Sequence, residues 1–160
     1  MSIDTSVFKK AMGHFPTGVT ITTAYDKAGH VAGMTASAFC SVSIEPLLVL
    51  MCPAKDAECY PALTEASYFS IHLLGADQAE LAWQFAKSGV DKSQGIEWAQ
   101  GAFGAPKIPG TLAYLECRHH AVYDGGDHGI LVGEVVDMML DEEQTPLAYC
   151  KSQLGPMPAL

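Results

Sequence analysis

Charge is scarce in this chain: 17% of its 160 residues are charged and 49% are hydrophobic. That balance excludes intrinsic disorder, collagen-like repeats and a coiled coil. Basic residues are the scarcer sign, nine against eighteen acidic ones, for a formal charge of −9. Such a field repels phosphate backbones and argues against a nucleic-acid partner. Long apolar runs are absent as well. The longest, Pro46 to Ala54, is strand-sized, and the start MSIDTSVFKK has no basic region followed by an apolar core. The expectation is a cytoplasmic protein that is neither exported by such a signal nor embedded in a membrane. No C-x-x-C or H-x-x-x-H spacing occurs, so no metal site is expected. Cysteines 40, 52, 59, 117 and 150 are odd in number and several lie in apolar strand-like runs, which suits reduced thiols packed as small hydrophobes. There is no G-x-G-x-x-G between a strand and a helix, and no G-x-x-x-x-G-K-[ST], so neither a Rossmann nor a P-loop phosphate site is encoded.

The chain is long enough for one domain, residues 1–160, around one core. Its apolar content exceeds what a lone domain of this size easily hides, which predicts burial between subunits. Asp4, Thr5 and Ser6 offer N-caps for a helix carrying Val7, Ala11, Met12 and Phe15, closed by Pro16 and Gly18. Thr17 to Tyr25 reads as a strand with Val19, Ile21, Thr23 and Tyr25 on one face, turning at Asp26-Lys27-Ala28-Gly29 into a second strand. Ala38 to Ser43, Leu47 to Cys52 and Tyr68 to Leu74 read as further strands, with a short helix near Glu58 to Glu65. Asp77 and Glu80 suggest a capping box for a helix ending near Gly89. Gly95 to Gly110 reads as a long surface loop. Two long strands follow, Thr111 to Tyr123 and His128 to Leu140, joined at Asp124-Gly125-Gly126, then a last strand Pro146 to Cys150. Many strands and few helices predict a closed antiparallel barrel.

Most candidate motifs reduce to packing. Gly101-Ala102-Phe103-Gly104 reads as turn chemistry. Adjacent His119 and His120 in a strand point to opposite faces and cannot share a metal, so His119 reads as a half-buried structural histidine. His14 and His30 fall at element ends, and His72 in a strand core. Gly33 to Phe39, small and hydroxylic between two strands, fits two readings: a strand facing a flat ligand, or hydroxyls that satisfy strand ends.

The run Phe8-Lys9-Lys10-Ala11-Met12-Gly13-His14-Phe15-Pro16-Thr17-Gly18-Val19-Thr20, then Gly33-Met34-Thr35-Ala36-Ser37-Ala38-Phe39 and Ser41-Val42-Ser43-Ile44-Glu45-Pro46-Leu47, resembles the flavin reductase-like family, the short reductase components of two-component flavin monooxygenases. The likeness continues through Phe69 to Leu74, Gln78 with Leu81-Ala82, Leu115-Glu116-Cys117 and Gly126-Asp127-His128, covering about residues 8 to 150. It implies a mainly β FMN-binding split barrel, a Greek-key antiparallel barrel with a few short helices, assembled as a homodimer. It also implies hydride transfer from NADH or NADPH to FMN or FAD, and a transient partner monooxygenase that receives the reduced flavin.

Position by position, the resemblance assigns Thr35, Ala36 and Ser37, with Met34 beside them, to the isoalloxazine ring. Backbone N–H groups and a hydroxyl there would hold the ring and stabilise charge as it is reduced. It assigns Cys52 to Cys59 to the ribityl and phosphate, with Cys52, Pro53, Ala54, Lys55, Asp56 and Cys59 as candidate contacts and Lys92 as a further cation. His128, beside Asp127, is assigned to the nicotinamide, against the alternative of a strand-start histidine simply bonded to Asp127. Ser37 and His128 are thus the candidate catalytic residues. The chain departs from the family pattern where Asp56, Ala57, Glu58 and Cys59 follow Lys55, where Gly129 follows His128, and at Leu154. Two carboxylates near the phosphate predict loose flavin binding. Two alternative functions remain on sequence grounds: a flavin-binding module without NAD(P)H turnover, and a flavoenzyme that keeps FMN and reduces a small substrate.

Overall fold

A computed structural model describes residues 3–158. In chain order the elements are α1 (Thr5–Met12), β1 (Thr17–Gly18), β2 (Thr20–Tyr25), β3 (Val31–Ala36), β4 (Phe39–Ile44), β5 (Leu47–Met51), α2 (Tyr60–Glu65), β6 (Tyr68–Leu73), α3 (Ala79–Ala86), β7 (Ala99–Gln100), β8 (Pro106–Lys107), β9 (Ala113–Gly125), β10 (His128–Leu140), β11 (Leu147–Cys150) and β12 (Gln153–Pro156). Seven strands form one antiparallel sheet in the order β3-β2-β6-β9-β10-β5-β4. Its two end strands, β3 and β4, are consecutive in the chain and joined by Ser37 and Ala38 alone. A linker that short brings the two ends of the sheet together. The sheet therefore curls into a barrel, but β3 and β4 do not pair, so the barrel is split, as the family resemblance implied, where the strand pattern alone suggested a closed one.

Both faces of the sheet are covered. Inside the barrel, Ala24, Ala36, Met51, Leu63, Phe69, Ile71, Cys117 and Leu131 form one core, with α2 contributing Leu63. Outside, Val19, Ile21, Leu74, Ala82, Phe85, Ile108 and Leu147 form a second, with α3 laid over β2 and β3. Two covered faces explain why β2 is buried along most of its length. The first hairpin turns as its sequence indicates: Asp26 Oδ1 accepts from the Ala28 and His30 amides at 2.8 and 2.9 Å, and Gly29 takes φ +84°.

Four expectations need correction. The capping box at Asp77 and Glu80 does not form. Gln78 stands at the N-cap without a side-chain cap; its Oε1 accepts from Gly75 N at 2.9 Å and its amide donates to Gly110 O at 3.1 Å, so the helix starts one residue later. The helix ends at Ala86, where Lys87 turns extended, rather than near Gly89. Gly95 to Gly110 is no surface loop: it folds onto the sheet through the β7–β8 pair and buries Ala105 and Ile108. The fully buried Glu116 carboxylate holds it there, accepting from Phe103 N at 3.0 and 3.1 Å and from Ala105 N at 2.8 Å. The hairpin of β9 and β10 turns at Gly126 and Asp127, and β12, absent from the sequence reading, pairs with β11.

Among the described residues no helix is long and apolar enough to cross a membrane, and no three His, Cys, Asp or Glu side chains gather as a metal site. The cysteines are all free; Cys59 and Cys117 are buried and Cys40 is exposed.

Candidate functional site

The split in the barrel leaves β3 with an unpaired edge. Lys92 Nζ donates to Gly33 O at 2.9 Å, so the Gly33 carbonyl points away from β2. In an antiparallel pair a residue's N–H and C=O point to the same side and alternate along the strand. Thr35, two residues on, therefore presents its amide and carbonyl to the same open edge, while Ala36 O faces β2 and accepts from Thr20 Oγ1 at 2.9 Å. Gly33 has no room for a side chain, since a methyl group there would stand 2.7 Å from Thr22 O and 3.1 Å from the Phe85 ring.

At the end of this edge lies a cleft of about 260 Å³. Thr35, Ala36 and Ser37 make one wall, Ala82, Trp83 and Ala86 of α3 another, and Tyr149 and Leu154 of the C-terminal hairpin close it. The structure thus brings together the three residues assigned to the ring. Ser37 is exposed, and its carbonyl accepts from Phe39 N at 3.0 Å. The Thr35 hydroxyl is already engaged, donating to Ala82 O at 2.6 Å, so Thr35 anchors β3 to α3 and can serve a ligand through its backbone. Met34 packs its side chain into the inner core, so it too can offer a ligand only its backbone. Small residues on both walls and backbone donors at one edge suit a flat heteroaromatic ring.

The segment assigned to the flavin tail begins at Cys52, whose amide donates to Ala38 O at 3.2 Å. Pro53 O accepts from Gly129 N at 3.0 Å, Ala54 bridges to His128, and Lys55 N donates to Asp127 O at 2.9 Å, so the segment is stitched to the start of β10. The Lys55 ammonium pairs with Asp124, which holds the Asp124 carboxyl below and the lysine above their ordinary values. Lys92 serves a different neighbour. With Gly33, Glu58 and Cys59 it lines a second cleft of about 190 Å³ beside β3, and Gln84 Nε2 holds its loop by donating to Lys92 O and Gln94 O. Asp56 and Glu58 are exposed, and Glu58 Oε2 accepts from Gly89 N at 3.5 Å. Burial raises the Cys52 and Cys59 thiols, which keeps them protonated.

His128 opens β10, half-buried, with Nδ1 2.7 Å from Asp127 Oδ1. The carboxylate accepts a hydrogen bond from Nδ1–H, which lowers the Asp127 pKa and leaves Nε2 without a partner among the described residues. The bond to Asp127 that the second reading of this histidine expected is formed, and it orients the ring's other nitrogen.

Sequence reasoning missed Trp83 and Tyr149. Trp83 is half-exposed on α3, where Ala82 and Phe85 face the core. A tryptophan off the buried face of an amphipathic helix is the signal that was available. Tyr149 comes from the far end of the chain, and nothing local marks it.

A flavin reductase-like domain matches residues 12–158. The chain is 47% identical over 148 residues to FMN reductase (NADH) SmoA of Agrobacterium fabrum, covering 92% of this chain and 83% of that protein. It is 34% identical over 152 residues to HsaB of Rhodococcus jostii, the reductase subunit of a flavin-dependent monooxygenase, covering 95% and 77%. In structure it resembles the NADH:FAD oxidoreductase SgcE6 of Streptomyces globisporus, solved with NAD and FAD fragments, with a TM-score of 0.90, 36% identity and coverage of 97% and 93%.

Proposed function

The chain belongs to the flavin reductase-like family, and we propose that it is an NAD(P)H:flavin oxidoreductase that supplies reduced flavin to a separate monooxygenase. The observation that carries this is the cleft at the open β3 edge, where Thr35, Ala36 and Ser37 line a slot for a flat ring. A flavin bound there would supply the two-electron chemistry, accepting hydride from a nicotinamide nucleotide. The chain's own residues orient and solvate. The Thr35 amide at the strand edge and the Ser37 hydroxyl are the donors for ring oxygen and nitrogen atoms. Thr35 is held for this by its bond to Ala82. His128, oriented by Asp127, offers Nε2 to the carboxamide or the flavin; no general base is needed. Cys52 to Cys59 follow the tail, with Lys55 and Lys92 as cations on either side.

The working unit is a homodimer. Helix α1 buries no residue, and its apolar side leaves Val7, Phe8 and Met12 between 55% and 61% exposed, with Phe15 beyond it at 70%. Ile44 at the end of the β4 edge is 82% exposed. An amphipathic helix that buries no residue against the described chain, and an uncovered apolar edge, suit a second copy. Free thiols throughout suit a cytoplasmic location.

The test is NADH and NADPH consumption by purified protein with FMN, FAD or riboflavin added. Flavin-dependent consumption that saturates with flavin supports the reading. Flavin binding without consumption would leave only a binding module. A yellow purified protein indifferent to added flavin would favour an enzyme that retains its cofactor.

A further inference from the structure

Tyr60, the first residue of α2, lays its ring against the start of β10. A methyl group at Gly129 would stand 2.7 Å from the Tyr60 hydroxyl and 3.0 Å from Cε2, so glycine at 129 is what leaves the phenol its place. The Tyr60 carbonyl accepts the Thr64 hydroxyl at 2.8 Å; the residue is half-buried, and its phenol has no hydrogen-bond partner among the described residues. Packing alone needs the ring and not the oxygen. The surroundings are those of the proposed site. Gly129 N donates to Pro53 O, Ala54 bridges to His128, and Lys55 N donates to Asp127 O, so the phenol shares one rim with His128 and the segment assigned to the flavin tail. Asp127 fixes Nδ1 of His128, so the rim carries two free polar groups, His128 Nε2 and the Tyr60 O–H.

We propose that Tyr60 is a specificity-determining contact: its phenol donates to a carbonyl or phosphate oxygen of the nucleotide that His128 meets, in a position kept open by Gly129. The proposal rests on the reductase reading. The acceptor oxygen belongs either to the pyridine nucleotide or to the flavin tail, and both present the same chemistry to a phenol.

The decisive variant is Tyr60→Phe, which keeps the ring and removes the hydroxyl. KM for NADH at saturating FMN, calorimetric affinities for FMN and riboflavin, and Tm are measured together. The expected result is a loss of about fivefold or more for one nucleotide, with Tm unchanged within about 2 °C. A raised KM for NADH with FMN affinity intact assigns the contact to the pyridine nucleotide. Weakened FMN binding with riboflavin intact assigns it to the flavin phosphate. Gly129→Ala, which displaces the phenol without altering it, weakens the same nucleotide. Tyr60→Phe with wild-type KM, kcat and affinities overturns the proposal alone, whereas a wild-type protein that binds neither nucleotide overturns the reductase reading with it.

Discussion

Acid should destabilise this protein through one buried histidine, His72. It is fully buried in β6, with Nδ1 donating to Ile21 O at 3.1 Å and Nε2 accepting from Ile108 N at 3.0 Å. One donor and one acceptor is the pattern of a neutral imidazole; a proton on Nε2 would face an N–H. Burial, with Lys107 adding to it, pushes the His72 pKa from 6.5 down to about 4. The native state thus binds fewer protons than the unfolded chain between those values, so stability is full above about pH 6.5 and falls as pH drops toward 4. A difference of about 2.5 units corresponds to about 3 kcal/mol across that window. Ile108 belongs to the outer core and Ile21 to β2, so the loss loosens the covering segment 95–110 from the sheet. The assay is urea unfolding at fixed protein concentration from pH 7.5 to 4, comparing wild type with His72→Gln, which keeps a donor and an acceptor but does not titrate. Carboxylates contribute equally to both proteins and cancel. The wild type should lose about 3 kcal/mol more than the variant. Parallel profiles would refute the reasoning and place His72 in contact with water or a counter-charge.

Three further outcomes are expected. Ser37→Ala lowers kcat/KM for flavin reduction by the equivalent of roughly 1–3 kcal/mol while Tm stays put; full rate with earlier melting would make Ser37 structural. An Asp56→Ser, Glu58→Ala double variant binds FMN several-fold tighter and riboflavin unchanged, with the gain shrinking in added salt; equal FMN affinities in calorimetry would mean both carboxylates point to solvent. Phe8→Lys with Met12→Lys shifts the protein to a monomeric mass in light scattering; an unchanged mass at micromolar concentration would move the dimer interface elsewhere.

What the sequence made legible follows from local physics. The turn at Asp26 to Gly29, the N-cap at Asp4 and the strands of the barrel each depend on neighbours within a few residues. The segment Gly33 to Phe39 stood out because Gly33, Ala36 and Ser37 are small or hydroxylic where a strand ends; its assignment to a ring came from the family resemblance alone. What stayed hidden depends on distant partners. Segment 95–110 looks like a surface loop until Glu116 is placed beneath it, and the helix start at Ala79 is set by Gln78 reaching back to Gly75 and across to Gly110. The Thr35 hydroxyl was legible as polar but not as the tether to Ala82. Tyr149 and Trp83 join the cleft from elements far apart in the chain, which no local pattern announces.

The central claim, that this chain turns over flavin as a diffusible substrate, is tested most directly by anaerobic bleaching of FMN. The protein is mixed with NADH and FMN, both in large excess over enzyme sites, and the visible absorbance of oxidised flavin is followed. The account predicts that the whole FMN pool bleaches, at a rate proportional to enzyme concentration. Bleaching that stops at one flavin per site, or that matches the rate without protein, would contradict it.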